Sequence, residues 1–428
     1  MGALTKTTSI YTWILTDFSW SLDTKPLRTV YQGLSASSSL TSLTLRFSDN
    51  RTPRPITVIP PIPNLVKFKV MDLDPLCYND DISLLLLGSK KLRELKMHWS
   101  PRMRREAEPS TSLQTYLGRC IAAGYVVPLQ HVSLQNFYGP NHGHMHMAFD
   151  KKTVVDSHYI DIFGGSKGAS SNVFIDATWK KVPREPMHWK VHRVNEIALQ
   201  HTRIMSSFTG CEELYFVNAR EPPPTTPSSD MGKTPGVSRA SASPLTPFQT
   251  PPANEYEGAS LGKEYMHIIT TNHGATLRNL LLSDQWAIEA DQMAHLVRSC
   301  PNLEQLGIAL GGTSPEIFRM LVPFLPKLYA IRLLANDWLL NDPRASTINC
   351  LEPEASETIR HEMGREAYKT DCKKLTWVGV GDRVMKMGKE IEVENEETGE
   401  LEWIREITVK TKEDVRHVRI WSMDSLEI

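Results

Sequence analysis

Residues 300–308 read CPNLEQLGI, and the spacing of their apolar side chains decides how the chain is read. Leu303, Leu306 and Ile308 follow the order apolar, two spacers, apolar, one spacer, apolar. The second and third share one face of a strand, because successive side chains alternate across it. Just upstream, EADQMAHLVRS (289–299) places apolar residues at three- and four-residue steps, the period of an amphipathic helix. The unit is therefore helix, turn, strand.

Working outward, the pattern recurs. LPKLYAIRL supplies Leu328, Ile331 and Leu333, and GATLRNLLL supplies Leu277, Leu280 and Leu282. Toward the start lie SSSLTSLTL (Leu40), IPNLVKFKV (Leu65), SKKLRELKM (Leu92) and VPLQHVSL (Leu129). CKKLTWVGV (Leu375) is a late copy, and CEELYFVNA (Leu214) is the weakest. First-leucine spacings are 25, 27, 37, 85, 63, 26, 25 and 47. Half of them match the ~20–29-residue period of leucine-rich repeats, and the longer ones require insertions. DDISLLLLGS (80–89) and TSPEIFRMLVPFL (313–325) read as further helices, with Asp80, Asp81 and Ser314-Pro315 as their starts. The expected fold is α/β: a leucine-rich-repeat solenoid with a curved parallel sheet and helices on its outer face.

The C-x-x-L-x-x-L-x-apolar units resemble the repeat region of F-box proteins, the substrate receptors of cullin-RING ubiquitin ligases. Over most of residues 20–380 the chain is similar to filamentous-fungal F-box/leucine-rich-repeat-like proteins. The stretches that carry the likeness are DDISLLLLGSKKLRELKMHWSPRMRREAEPS, KVHRVNEIALQHTRIMSSFTGCEELYFVNARE and HLVRSCPNLEQLGI. The resemblance implies a substrate-recognition subunit whose partners are a protein ligand and a ligase adaptor. The alternative is a scaffold of the same architecture without a ubiquitin connection. The sequence departs from the family near its start, where no L-P-x-E-[IL]-like helix is legible.

Composition narrows the classes. The 428 residues carry 48 Lys+Arg against 49 Asp+Glu, so no general pull toward nucleic acid or an anionic membrane is expected. No run approaches the ~18–20 apolar residues of a spanning helix, and the start lacks a secretory pattern. A cytoplasmic or nuclear location is expected. Six dispersed cysteines with no C-x-x-C fit reduced thiols. Cys211, Cys300 and Cys372 each precede the first leucine of a unit by three residues, a place for a small packed side chain. No G-x-S-x-G, H-E-x-x-H, Walker A or dinucleotide fingerprint occurs, so the chain is not read as an enzyme and no cofactor is expected.

The array is expected over residues 1–380, interrupted by an ordered insertion at about 138–190 and a Pro/Ser/Thr-rich loop at 221–256. That loop should be disordered, since it cannot bury enough apolar area to offset ordering. Its Thr226, Thr234, Ser243, Thr246 and Thr250 precede prolines and are candidate phosphosites. In the first insertion His142, His144 and His146 alternate without a carboxylate or cysteine companion, so a strand edge is preferred to a metal site. FGGSKGASS (163–171) reads as a loop rather than a phosphate cradle. KEIEVENEETGELEWIREITV predicts a β-hairpin about Glu396–Gly399, VRHVRIW (415–421) a third strand, and together residues 381–428 a β-rich cap.

The spacers between apolar strand residues face the opposite side of the sheet. Arg46, Lys67, Lys69, Lys96, His98 and His131, offset by Glu94, make its first half basic, with Arg102, Arg104 and Arg105 as an extension. Asn279, Ser283, Gln305, Arg332 and Trp377 make the second half nearly neutral. The basic half is the expected docking surface for an acidic or phosphorylated protein segment. RNA fits less well, because few aromatic side chains are interleaved with the charges.

Overall fold

A computed structural model describes residues 15–47, 58–74, 82–102, 113–137, 152–162, 187–219, 255–310, 321–334, 353–394 and 399–428, a few isolated positions apart. The first strands are β1 (Asp17–Trp20), β2 (Ser42–Arg46), β3 (Lys67–Leu73), β4 (Glu94–Trp99) and β5 (His131–Gln135). Next come β6 (Asp156–Ile160), β7 (Val191–Val194), β8 (Glu213–Phe216), β9 (Asn279–Leu281) and the short β10 (Ala287–Ile288). The last are β11 (Gln305–Leu310), β12 (Ala330–Leu334), β13 (Trp377–Val380), β14 (Arg383–Glu394) and β15 (Leu401–Lys410). All belong to one 15-stranded sheet in which each strand pairs with the next in sequence, β10 alone lying off the path. Pairing is parallel from β1 to β13 and antiparallel from β13 to β15. This is an α/β chain built as a sequential, solenoid-like ladder.

Helices fill the connections: α1 (Arg28–Ala36), α2 (Ser83–Gly88), α3 (Leu113–Ala122), α4 (Leu199–Met205) and α5 (Glu255–Ile268). The later ones are α6 (Ala290–Ser299), α7 (Pro353–Lys369) and the single turn α8 (Arg419–Ser422). α6 begins where the sequence places it, at a reciprocal capping box between Glu289 and Gln292. α2 starts after Ile82, and the expected starts Asp80, Asp81 and Ser314-Pro315 lie outside the described residues.

The core lies between one sheet face and the helices. Its central row runs in register from Leu43 through Phe68, Leu95 and Val132, and later through Leu214, Leu280, Leu306, Ile331 and Val378. Tyr31, Leu85, Leu117, Ile204, Leu296 and Met363 from the helices join it in one apolar cluster. Burying a leucine this fully is worth roughly 1.5–3 kcal/mol, and every row position is 1 % exposed or less.

One rung, β6, stands inside the insertion expected at about 138–190, and a second, β7, begins at its end. The spacing of 85 from Leu129 to Leu214 contains β6 and β7, whose first core residues are the buried Val154 and Trp189. From Leu129 to Val154 is 25 positions, and from Trp189 to Leu214 again 25. The leucine pattern fails there because the central row carries Ser157 and His192, paired with each other in register. Both are fully buried, and a hydrogen-bonded chain offsets their desolvation. Ser157 Oγ lies 2.8 Å from His192 Nδ1, the two Nε2 atoms of His192 and His201 are 2.8 Å apart, and Tyr265 Oη is 2.8 Å from His201 Nδ1. Trp189 stacks on the His192 ring at 4.3 Å. Either proton direction through the chain satisfies all three contacts, provided that both rings are neutral.

β14 turns back on β13 through Gly381, whose φ of +56° is the left-handed conformation that glycine adopts without a Cβ penalty. The predicted hairpin is present as β14 and β15, and it packs on α7. Residues 415–421 are not a third strand: a 3₁₀ turn (Lys412–Val415) and α8 leave the sheet edge and cross to its other face. Their apolar residues answer an apolar surface there rather than an open edge. Among the described residues no helix is long and apolar enough to cross a membrane.

Candidate interaction face

The sheet face opposite the helices carries the spacer residues in columns. The central column aligns Thr44, Lys69, Lys96, Ser133, His158, Arg193, Tyr215, Leu281, Gly307, Arg332 and Gly379 in unbroken register. Its character changes after Arg193, from cationic and polar to largely apolar. Beside it runs a second column: Lys67, Glu94, His131, Asp156, Val191, Glu213, Asn279, Gln305, Ala330 and Trp377.

All six residues expected on the basic half lie on this face, each tied to a carboxylate or a chain carbonyl. Arg46 Nε contacts Asp72 at 2.6 Å, and His98 faces the same carboxylate at 3.7 Å. Lys67 and Lys96 flank Glu94 at 3.6 and 3.5 Å. His131 lies 3.0 Å from Asp156, and Lys69 reaches the carbonyl of Ile428 at 2.6 Å. Along β2–β7 the cations Arg46, Lys67, Lys69, Lys96 and Arg193 still outnumber Asp72, Glu94 and Asp156, so the half keeps a positive excess. Arg102 bonds Asp74 at 2.7 Å, whereas Arg104 and Arg105 lie outside the described residues.

Asp156 is the electrostatic centre of this half. Burial acts to raise its pKa, but the hydrogen bond from His131 and the close His158 imidazole, whose Nε2 is 2.7 Å away, outweigh it and hold the carboxyl well below the usual range. The two imidazoles respond oppositely. The bond to Asp156 raises His131, while deeper burial lowers His158 despite the same carboxylate. Burial, followed by the nearby Lys96 charge, also lowers Lys69.

The second half is covered by the chain itself. Val415, Val418, Ile420 and Trp421 form a second apolar cluster with Tyr215, Leu281, Ala309, Ala330, Leu334, Trp377 and Val384. Gly379 makes room for the indole: a Cβ there would stand 2.6 Å from Trp421 Cζ2. Asn279, Gln305, Arg332 and Trp377, expected as the nearly neutral part of an open face, are instead buried beneath this segment, with Ser283 buried nearby. Gln305 Oε1 accepts from the Ile420 amide at 3.1 Å, and His417 meets the Trp377 ring edge-on at 5.5 Å. Arg419 extends to Glu213 at 3.0 Å, and the Tyr215 hydroxyl donates to the same carboxylate at 2.6 Å.

Beyond α8 the segment continues toward the basic half. Asp424 Oδ1 accepts from the Asn218 and Ala219 amides at 2.6 and 2.9 Å, and Oδ2 meets Arg332 Nη1 at 2.6 Å. The chain then bends around Arg193. That guanidinium donates to the carbonyls of Met423 and Glu427, each at 2.7 Å, to the Ser425 carbonyl, and to Ser425 Oγ at 3.0 Å. Gln135 Nε2 donates to the Leu426 carbonyl. Burial draws Arg193 down to about 10, so it remains charged at neutral pH.

Gln135, Asp156, His158, Arg193, Glu213 and Asp424 were not legible as site residues from the leucine pattern. The 25-residue interval would have located the rungs of Asp156, His158 and Arg193 had Val154 and Trp189 been accepted in place of leucine. Nothing local to residues 419–428 signals where that segment docks. The candidate phosphosites, His142, His144, His146 and residues 163–171 lie outside the described residues, as do Cys77, Cys350 and Cys372. Cys120, Cys211 and Cys300 are buried, and burial raises each thiol, Cys211 and Cys300 to about 12, which keeps them protonated packing groups. Among the described residues no cluster of His, Cys, Asp or Glu is arranged to hold a metal ion. No protein-family profile, no curated protein and no solved structure matches the chain.

Proposed function

We propose that the chain is a leucine-rich-repeat recognition protein that binds a segment of a partner protein on the sheet face opposite its helices. One observation carries the reading: that face already grips a polypeptide backbone, through Lys69, Gln135 and Arg193 donating to main-chain carbonyls of residues 423–428. Charged side chains in register, donating to carbonyls, supply both affinity and placement. A positive excess on β2–β7 favours an acidic or phosphorylated partner segment over a basic one.

The narrower reading is a substrate receptor of a cullin-RING ubiquitin ligase. The likeness of its repeat units to those of F-box proteins supports it, and co-purification of a ligase adaptor tests it. Consistent absence of the adaptor would leave a recognition scaffold.

The recognition reading is tested by reversing charge where the face is open. Lys67→Glu with Lys96→Glu should lower capture of the chain's cellular partner at least tenfold in affinity purification, with an unchanged thermal melt. Undiminished capture by the folded double variant would exclude β3 and β4 as the docking surface.

A further inference from the structure

Residues 423–428 are held differently from the residues just before them. Val415, Val418, Ile420 and Trp421 dock by apolar burial on β8–β14, whereas 423–428 are held by polar contacts that begin at Asp424 in the second half and run onto Arg193, Gln135 and Lys69 of the basic half. Three donors converge on the Asp424 carboxylate: the Asn218 and Ala219 amides and Arg332. Asn218 is itself fixed by donating to the Leu282 carbonyl at 3.0 Å and accepting from the Asp284 amide at 2.8 Å, so the loop after β8 presents a preformed receptor. Arg193 stands one step along, four of its acceptors being main-chain or hydroxyl oxygens of 423–427. Apart from the Ser425 hydroxyl, these contacts beyond Asp424 read backbone oxygens, which any sequence supplies. The specificity is one carboxylate followed by a bent backbone, with the Glu427 charge acting in addition on Lys69 and Arg193.

We propose that this is a peptide-binding site, that residues 423–428 are its resident occupant in cis, and that a partner segment with an aspartate or glutamate in the place of Asp424 displaces them. The inference rests on reading this face as a recognition surface and names the ligand class for it. Arg332 and the Asn218 and Ala219 amides select the carboxylate, and Arg193, Gln135 and Lys69 hold the following backbone. The apolar anchor at Ile420 and Trp421 stays seated during exchange, so only the polar stretch moves. A tethered occupant acts at an effective concentration of order mM, and a partner's apparent affinity falls in proportion to its occupancy.

The test uses the full chain and a fluorescent peptide, SMDSLEI, identical to residues 422–428. Asp424→Lys sets a cation against Arg332 and empties the site. This variant should bind the peptide at least tenfold more tightly than the unaltered chain, and adding Arg193→Ala or replacing the peptide's aspartate by alanine should remove the gain. Backbone order at 423–428, read by NMR relaxation, supplies a second measurement, and it needs no variant. Saturating peptide should release 423–428 to fast motion in the unaltered chain while residues 415–421 stay ordered. The proposal is overturned if Asp424→Lys releases 423–428 without tighter peptide binding. It is equally overturned if saturating peptide leaves 423–428 ordered. Either failure with partner capture still sensitive to Lys67 and Lys96 removes the displacement idea and leaves the recognition reading standing.

Discussion

The two halves of the sheet solve opposite problems with the same rung. In β2–β5 the core row is Leu43, Phe68, Leu95 and Val132, and the other face carries ion-paired side chains that tolerate water. In β8–β13 the core row is equally apolar, but the other face bears Tyr215, Leu281, Ala309, Ala330 and Trp377 and is covered by residues 415–421. The join, β6–β7, departs from both by placing Ser157 and His192 in the core row and burying Arg193 on the other face under residues 423–427. The lesson is that an apolar column needs a lid, a charged column can serve as a docking face, and the boundary falls at Arg193.

The largest effect should come from the row common to both halves. Leu306→Ala or Leu95→Ala each deletes a fully buried side chain and should cost about 2–5 kcal/mol in chemical denaturation. A markedly smaller loss at one of them would show that the halves do not share one cooperative core. Trp421→Ala should cost about 2–4 kcal/mol, near the low end of the range for large aromatics because its anchor is a single turn. It should also accelerate hydrogen exchange along 415–421 while β2–β5 stay protected. Uniform deprotection would mean that the lid belongs to the global core.

The buried imidazoles distinguish the join by pH. Burial lowers His192 well below its ordinary range and His201 to about 3. Folded, both are neutral; unfolded, both titrate near 6.5. Below pH ~6.5 the unfolded chain therefore takes up protons that the fold refuses, and stability falls by up to ~1.4 kcal/mol per pH unit for each group. For His201 the decline continues to about pH 3. Above pH ~6.5 this contribution is complete. His201→Gln keeps a donor and an acceptor without titrating and should flatten the slope measured between pH 7 and 5. An unchanged slope would place the acid sensitivity elsewhere. Smallest should be Arg46→Ala: Asp72 is buried but Arg46 is half exposed, so solvent screens the pair and the loss should be about 1 kcal/mol, a small shift of the melt.

How much was legible follows the same division. Wherever the core row is leucine-like, the periodicity of apolar residues located the strand, because burial in a parallel ladder demands that pattern from each rung separately. β6 and β7 escaped since Ser157 and His192 are polar, and their burial is tolerated only through His201 and Tyr265, more than 100 positions from Ser157 in the latter case. The basic side chains were placed correctly on their face, but their partners Asp72 and Asp156 and the occupant at Arg193 were not foreseen.

The sequence by itself determined the ladder wherever its row is apolar: the rung spacing, the buried row and the side of the sheet on which Lys67, Lys69 and Lys96 stand, since these depend on residues two to twenty-seven positions apart. Tertiary structure decided which part of the opposite face remains open. That depends on residues 415–428 returning across the sheet to Leu281, Arg332, Arg193 and Lys69, and no local period encodes a contact spanning hundreds of positions.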